Sequence, residues 1–188
     1  MQEVKRRGRP KKQAVSVDKA AVLRCAHSIL ETQALDKLTF RALAAELGVT
    51  AMAAKYHVGS RDQMLSDLAA QIFEGIDADV SGETLSAELR RLLVRYCELV
   101  LKNADLVRFL LSKPDCMPKV LSEFTSQVRQ RTQAMNDGDT GDVMLNLLID
   151  YIHGFVFAAD AAPREVTLTL DDCMRSIDWL MNVTESRP

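Results

Sequence analysis

The sequence predicts an all-α protein: a small N-terminal helical domain joined to a larger helical body. Two observations carry that reading. Apolar residues recur at helical spacing along nearly all of the 188 residues, and the one alternating stretch, "VTLTL" at 166–170, is short and isolated. Charge is also divided unevenly. Residues 1–62 hold 12 Lys+Arg against 6 Asp+Glu, whereas 63–188 hold 12 against 20. A basic head at +6 and an acidic body at −8 therefore lie behind a net charge of −2, which directs a polyanionic partner to the head alone. With 47% hydrophobic and 27% charged residues the chain reads as an ordinary globular protein able to fill one sizeable core, or a small domain fused to a larger one.

Taken in order, "KRRGRPKK" at 5–12 places six cations in eight residues and predicts a flexible basic arm over 1–15. Ser16 is the expected N-cap of a first helix, with Asp18 in its first turn and Val22, Ala26, Ile29 and Leu30 on its apolar face. "LTFRALAAELGVTAMAAKYHV" predicts two short helices capped by Thr39 and Thr50 and broken at Gly48. "SRDQ" at 60–63 has the form of a capping box and opens a connecting helix expected to reach about Ile76. "DADVSGET" is the most loop-like part of the middle chain. Beyond it, Leu85, Leu89, Leu92, Leu93, Tyr96, Cys97 and Val100 stripe a long helix; Asn103 is expected to cap a short one that stops before Pro114. Val120, Leu121, Phe124 and Val128 stripe the next, and "MNDGDTGD" is a turn. Val143 to Ala162 is apolar almost all round but broken by Asn146, Asp150, His153 and Asp160, so a buried helix is expected rather than a membrane span. After Pro163 a last helix carries Leu170, Met174, Ile177, Leu180 and Met181 on one face. The expected domains are 1–15, 16–62 and 63–188, with 63–76 as connecting helix.

The two short helices around Gly48 and Val49 form a helix-turn-helix pattern, whose second helix would enter the major groove of DNA. Arg41 can reach a phosphate or a base edge, and Lys55, Tyr56, His57 and Arg61 would hold phosphates and set the register. Thr50, Ala51, Met52 and Ala53, at the start of the second helix, are poor in hydrogen-bonding groups; Ala or Met there can touch a thymine methyl but cannot make bidentate base contacts.

The order of these pieces is more specific than the pattern itself. Leu38, Thr39, Arg41, Leu43, Ala44, Leu47, Gly48, Val49, His57, Val58, Ser60 and Arg61 fall in register with the N-terminal domain of the TetR family of bacterial transcriptional repressors, which residues 17–72 resemble. Two departures stand out: Ala34 where the family usually has Gly, and Ala54-Lys55 where it has Leu-Tyr, the aromatic here being Tyr56. The resemblance implies a cytoplasmic homodimer on a double-stranded DNA operator, regulated by a small-molecule effector bound in the body, with the last two helices pairing across a two-fold axis. Arg7-Gly8-Arg9-Pro10 resembles the core of AT-hook minor-groove binders, whose arginines gain from a narrow A·T-rich groove. The DNA-contacting set is then Arg6, Arg7, Gly8, Arg9, Lys11, Lys12, Thr39, Arg41, Thr50, Ala51, Met52, Lys55, Tyr56, His57 and Arg61. The effector candidates are Tyr96, Arg108, Phe109, Phe124, Tyr151, His153 and Phe155.

Other function classes find less support. Cys25, Cys97, Cys116 and Cys173 are scattered, with no CxxC pair, so reduced thiols are expected rather than disulfides or zinc. No Glu-x-x-His pair, nucleophile grouping or Gly-rich phosphate loop suggests an enzyme, and no cofactor or metal is expected. The N-terminus lacks the layout of a signal peptide. The alternative within DNA binding is an architectural protein without an effector; an enclosed cavity in the body, or its absence, would separate the two. An RNA adaptor fits less well, because a helix cannot readily enter the deep major groove of A-form RNA.

Overall fold

The computed structural model describes residues 17–136, 139–163 and 167–185, with side chains of the last helix as far as residue 182. Those residues are all-helical, as the periodicity predicts: nine α-helices, two 3-10 turns and no strand.

The head begins with α1, Lys19–Thr32, capped by Asp18, whose carboxylate accepts from the Ala21 amide at 2.7 Å. The cap is thus Asp18 rather than Ser16, which lies outside the described residues; an extended Asp18 puts its oxygen over the free amide three residues on. Helices α2, Phe40–Leu47, and α3, Ala51–Val58, are capped as expected by Thr39 and Thr50, each accepting at 3.1 Å from the amide three residues on. Each such cap is worth about 1 kcal/mol over alanine. Ala34 is extended (φ −64°) and leads into a 3-10 turn at Leu35–Lys37, so leaving α1 needs no left-handed residue and no glycine.

Gly48 does need its freedom. At φ +66° it closes α2, donating its amide to Ala44, and turns the chain into α3. Beyond its chain neighbours, no atom of the described residues lies within 4 Å of where a Cβ would stand, so a side chain there meets only the left-handed backbone. Gly48→Ala is therefore expected to lower unfolding free energy by about 1 kcal/mol. Urea titration measures it, and an unchanged midpoint would contradict the assigned turn.

Ser60 caps α4, Arg61–Ile72, accepting from the Gln63 amide at 3.0 Å, but Gln63 turns its own side chain to Asp67 (3.1 Å). The capping box is consequently only half made. Helix α4 also stops at Ile72, short of Ile76: Phe73 caps it, Gly75 turns left-handed, and the reversal buries both Phe73 and Ile76. Arg95 and Arg91 then hold the linker by donating to the carbonyls of Ala78 and Ser81.

The body is built around α5, Leu85–Lys102, whose Leu89, Leu92, Leu93, Tyr96, Cys97 and Val100 are buried. It packs against α7 (Lys119–Met135), α8 (Val143–Ala161) and α9 (Leu170–Glu185), with α6 (Ala104–Ser112) wedged between α4 and α8. Asn103 does not cap α6. Its amide donates to Leu99 at 2.8 Å, satisfying the end of α5 instead. The buried Asp139 receives the first two amides of α8, from Val143 (2.7 Å) and Met144 (2.9 Å), which hold its carboxyl below the usual carboxylate range.

By length and hydropathy α8 has the composition of a membrane span, but Met144, Leu145, Leu148, Ile152 and Val156 lie in this core. Its opposite side leaves Val143 and Leu147 exposed. The stripe on α9 is largely used within the chain: Cys173, Met174, Ile177 and Met181 are buried, and Trp179 is the large apolar residue left outside.

Candidate functional site

Helix α3 is held to the head by one narrow side. Ala54 and Val58 are buried in it, and α3 packs on α2 and α1. The other side is open: Ala51, Met52, Lys55, Tyr56 and Gly59 are all exposed, at spacings that put them on one continuous helix face. Met52 is 76% and Tyr56 86% exposed. Two large apolar side chains one turn apart stand mostly in water, as is usual where a surface serves a partner.

The cations around this face are uncommitted. Arg41, exposed on α2, and Lys55 form no ion pair among the described residues, although nine other basic side chains do, and α3 carries no acid. His57 is half-buried, its ring edge-on to Tyr56 at 5.4 Å. Thr50 and Thr39 are exposed, with their hydroxyls engaged in capping.

Arg61 is placed differently from the other basic residues of the set. Its guanidinium donates to Leu35 (2.9 Å) and Leu38 (3.4 Å), holding the turn between α1 and α2. Arg6, Arg7, Gly8, Arg9, Lys11 and Lys12 lie outside the described residues.

Of the body candidates, Tyr96, Phe124 and His153 come together. The Tyr96 and Phe124 rings stack at 4.8 Å, and the Tyr96 hydroxyl lies 2.6 Å from His153 Nε2. All three border a cavity of about 140 Å³ between α5, α6, α7 and α8. The other four are not in its wall. Arg108 is drawn outward by Asp105 (2.6 Å) and Asp160 (3.0 Å), with its guanidinium over the Phe157 ring, while Phe109 lies under Lys113. Tyr151 and Phe155 pack on each other at 6.2 Å, one turn apart on α8.

Burial pushes the His153 imidazole below its ordinary range, against a weaker opposing pull from Asp150, and pushes the Tyr96 phenol up. Both are therefore neutral at pH 7. Because the folded chain resists protonating His153 while the unfolded chain accepts a proton below about 6.5, the stability tied to the neutral ring is present above that pH and lost on acidification. Moving from about pH 7.5 to about pH 5.5 should lower the melting temperature of the wild type more than that of His153→Gln. Equal losses would mean that the ring titrates as if in water.

Sequence spacing did not single out the residues that join body to head. The Leu35 amide points at Asp105 of α6 (3.5 Å), and Lys113, just past α6, pairs with Asp62 of α4 at 2.5 Å. These partners stand 70 and 51 residues apart, and no local pattern announces such pairs.

No protein-family model matches the sequence, and no curated protein matches it significantly. Solved structures do match the fold. BioQ superposes with a TM-score of 0.72 at 20% identity, covering 91% of this chain and 99% of its own. BioQ with its natural double-stranded DNA operator gives 0.68 at 21% over the same shares, and Mycobacterium smegmatis BioQ gives 0.68 at 22%, covering 89% of this chain and 95% of its own. The helical head and body described above are thus together the fold of BioQ.

Proposed function

We propose that the protein is a TetR-like DNA-binding transcriptional regulator, a repressor whose operator binding is modulated by a small-molecule effector. The observation that carries this reading is the open face of α3. It displays Met52, Lys55 and Tyr56, with Arg41 of α2 forming no ion pair among the described residues, on a fold shared with a protein crystallised on its DNA operator. Residues 1–15 serve as the arm, 16–62 as the DNA-binding domain and 63–188 as the effector and dimerisation domain. Met52 and Ala51 supply apolar contact to thymine methyls; Lys55 and Arg41 supply phosphate contacts that fix the register.

The exposed side of α8 is the dimer surface in this reading. Val143, Leu147, Gly154 and Ala158 follow one another along it at helical spacing, and among the described residues no other element comes within 4 Å of where a Gly154 Cβ would stand. A second copy related by a two-fold axis would cover this face and set the two α3 helices about 34 Å apart, one turn of DNA. The cavity beside Tyr96 favours an effector over a purely architectural role. Helix α6 links the two ends, because Val107 and Leu110 border the cavity while Asp105 and Lys113 meet the head. A ligand that favours one position of α6 would thus shift the population of head orientations.

The test is selection of the preferred DNA from a random pool, followed by titration of the selected site. Lys55→Ala should weaken binding and reduce the slope of log K against log salt by about 2 for a dimer, one phosphate per subunit. Absence of any sequence-preferring binding would overturn the reading.

A further inference from the structure

The wall of the body cavity specifies what it can hold. One side is the stacked pair Tyr96 and Phe124; α6 contributes Val107 and Leu110. Among the described residues no carboxylate, lysine or arginine borders it, and Arg108, the cation of α6, is held by Asp105 and Asp160. A charged ligand would enter without a counter-ion, so a neutral one is favoured. The volume of about 140 Å³ is close to that of an apolar cavity of about 150 Å³ that takes benzene. One six-membered ring with a small substituent fits, and a fused or extended molecule does not.

The polar edge fixes the substituent. Tyr96 and His153 share one proton across 2.6 Å, and Thr125 gives its own to Leu121 at 2.9 Å. If Tyr96 donates to His153, its oxygen still accepts a hydrogen bond from a ligand. If His153 donates, the Tyr96 hydroxyl is free to give one. A hydroxyl group can serve either arrangement, whereas a carbonyl or a methyl cannot serve both. Burial that keeps the imidazole neutral preserves this choice.

We propose that the cavity binds a neutral single-ring aromatic alcohol of the phenol class, its ring against Phe124 and its hydroxyl on the Tyr96–His153 pair. This deepens the effector reading above and rests on it for the consequence at the operator, not for binding itself.

Calorimetric titration of the full chain without DNA, using phenol, toluene and benzoate as probes, tests the proposal. Phenol should bind, toluene about tenfold more weakly for want of one buried hydrogen bond, and benzoate not detectably. Tyr96→Phe combined with His153→Leu removes both polar partners and should erase the preference for phenol while toluene binding remains detectable. Equal binding of phenol and toluene, benzoate binding as tight as phenol, or uptake of none of the three would overturn the proposal. Phenol binding without change in operator affinity sustains the site and defeats only the regulatory reading. Operator binding by a chain that takes up no probe defeats the site and spares DNA recognition.

Discussion

Leu147→Glu is expected to turn the protein into a monomer that has almost lost its operator. Leu147 sits in the middle of the outward stripe of α8 and is 55% exposed in the single chain, so a charge there costs the subunit little. Across a two-fold axis the same substitution occurs twice in one patch, and both carboxylates lose water as the subunits close. Sedimentation should move from dimer to monomer while far-ultraviolet dichroism stays unchanged. The loss at the operator follows from linkage of two half-sites: when the second head no longer binds as part of the same molecule, affinity falls by about 10²–10⁴-fold. A Leu147→Glu protein that remains a dimer would move the interface to another face. Trp179 of α9, 65% exposed, would then be the next position to test.

Deleting residues 1–12 should leave folding intact and make operator binding both weaker and less salt-dependent. The segment has six cations and little apolar content to bury. If each of two arms neutralises about three phosphates, the dimer loses up to ~5 units of slope in log K against log salt, at ~0.9 per phosphate. Arg7 and Arg9 should act differently from Lys11 and Lys12. Replacing both arginines by alanine removes the groups suited to a narrow A·T-rich minor groove and should reduce discrimination between A·T-rich and G·C-rich flanks. Replacing the lysines should weaken all sequences alike. Titrations on two operators differing only in those flanks decide it: equal losses for the double arginine variant would reduce "KRRGRPKK" to a general electrostatic tail.

The sequence by itself determined the all-α class and the short helices around Gly48 with their Thr39 and Thr50 caps. Each depends on interactions spanning a few residues: a hydroxyl over an amide three positions on, a left-handed glycine, side chains one turn apart. Where a local signal had two possible partners, only the tertiary structure decided between them. Asn103 turned back to Leu99, and Gln63 went to Asp67. Helix α4 ended early, at the reversal that buries Phe73 and Ile76.

The body site was legible only in its residue types. Seven polar or aromatic candidates looked alike in the chain, and packing brought Tyr96, Phe124 and His153 to one cavity while ion pairs drew Arg108 outward. The α9 stripe was likewise taken up by the chain's own core. The physical reason is the same in each case. Periodicity records which side of a helix is apolar, but the neighbour that side meets is set by how distant helices fill space together.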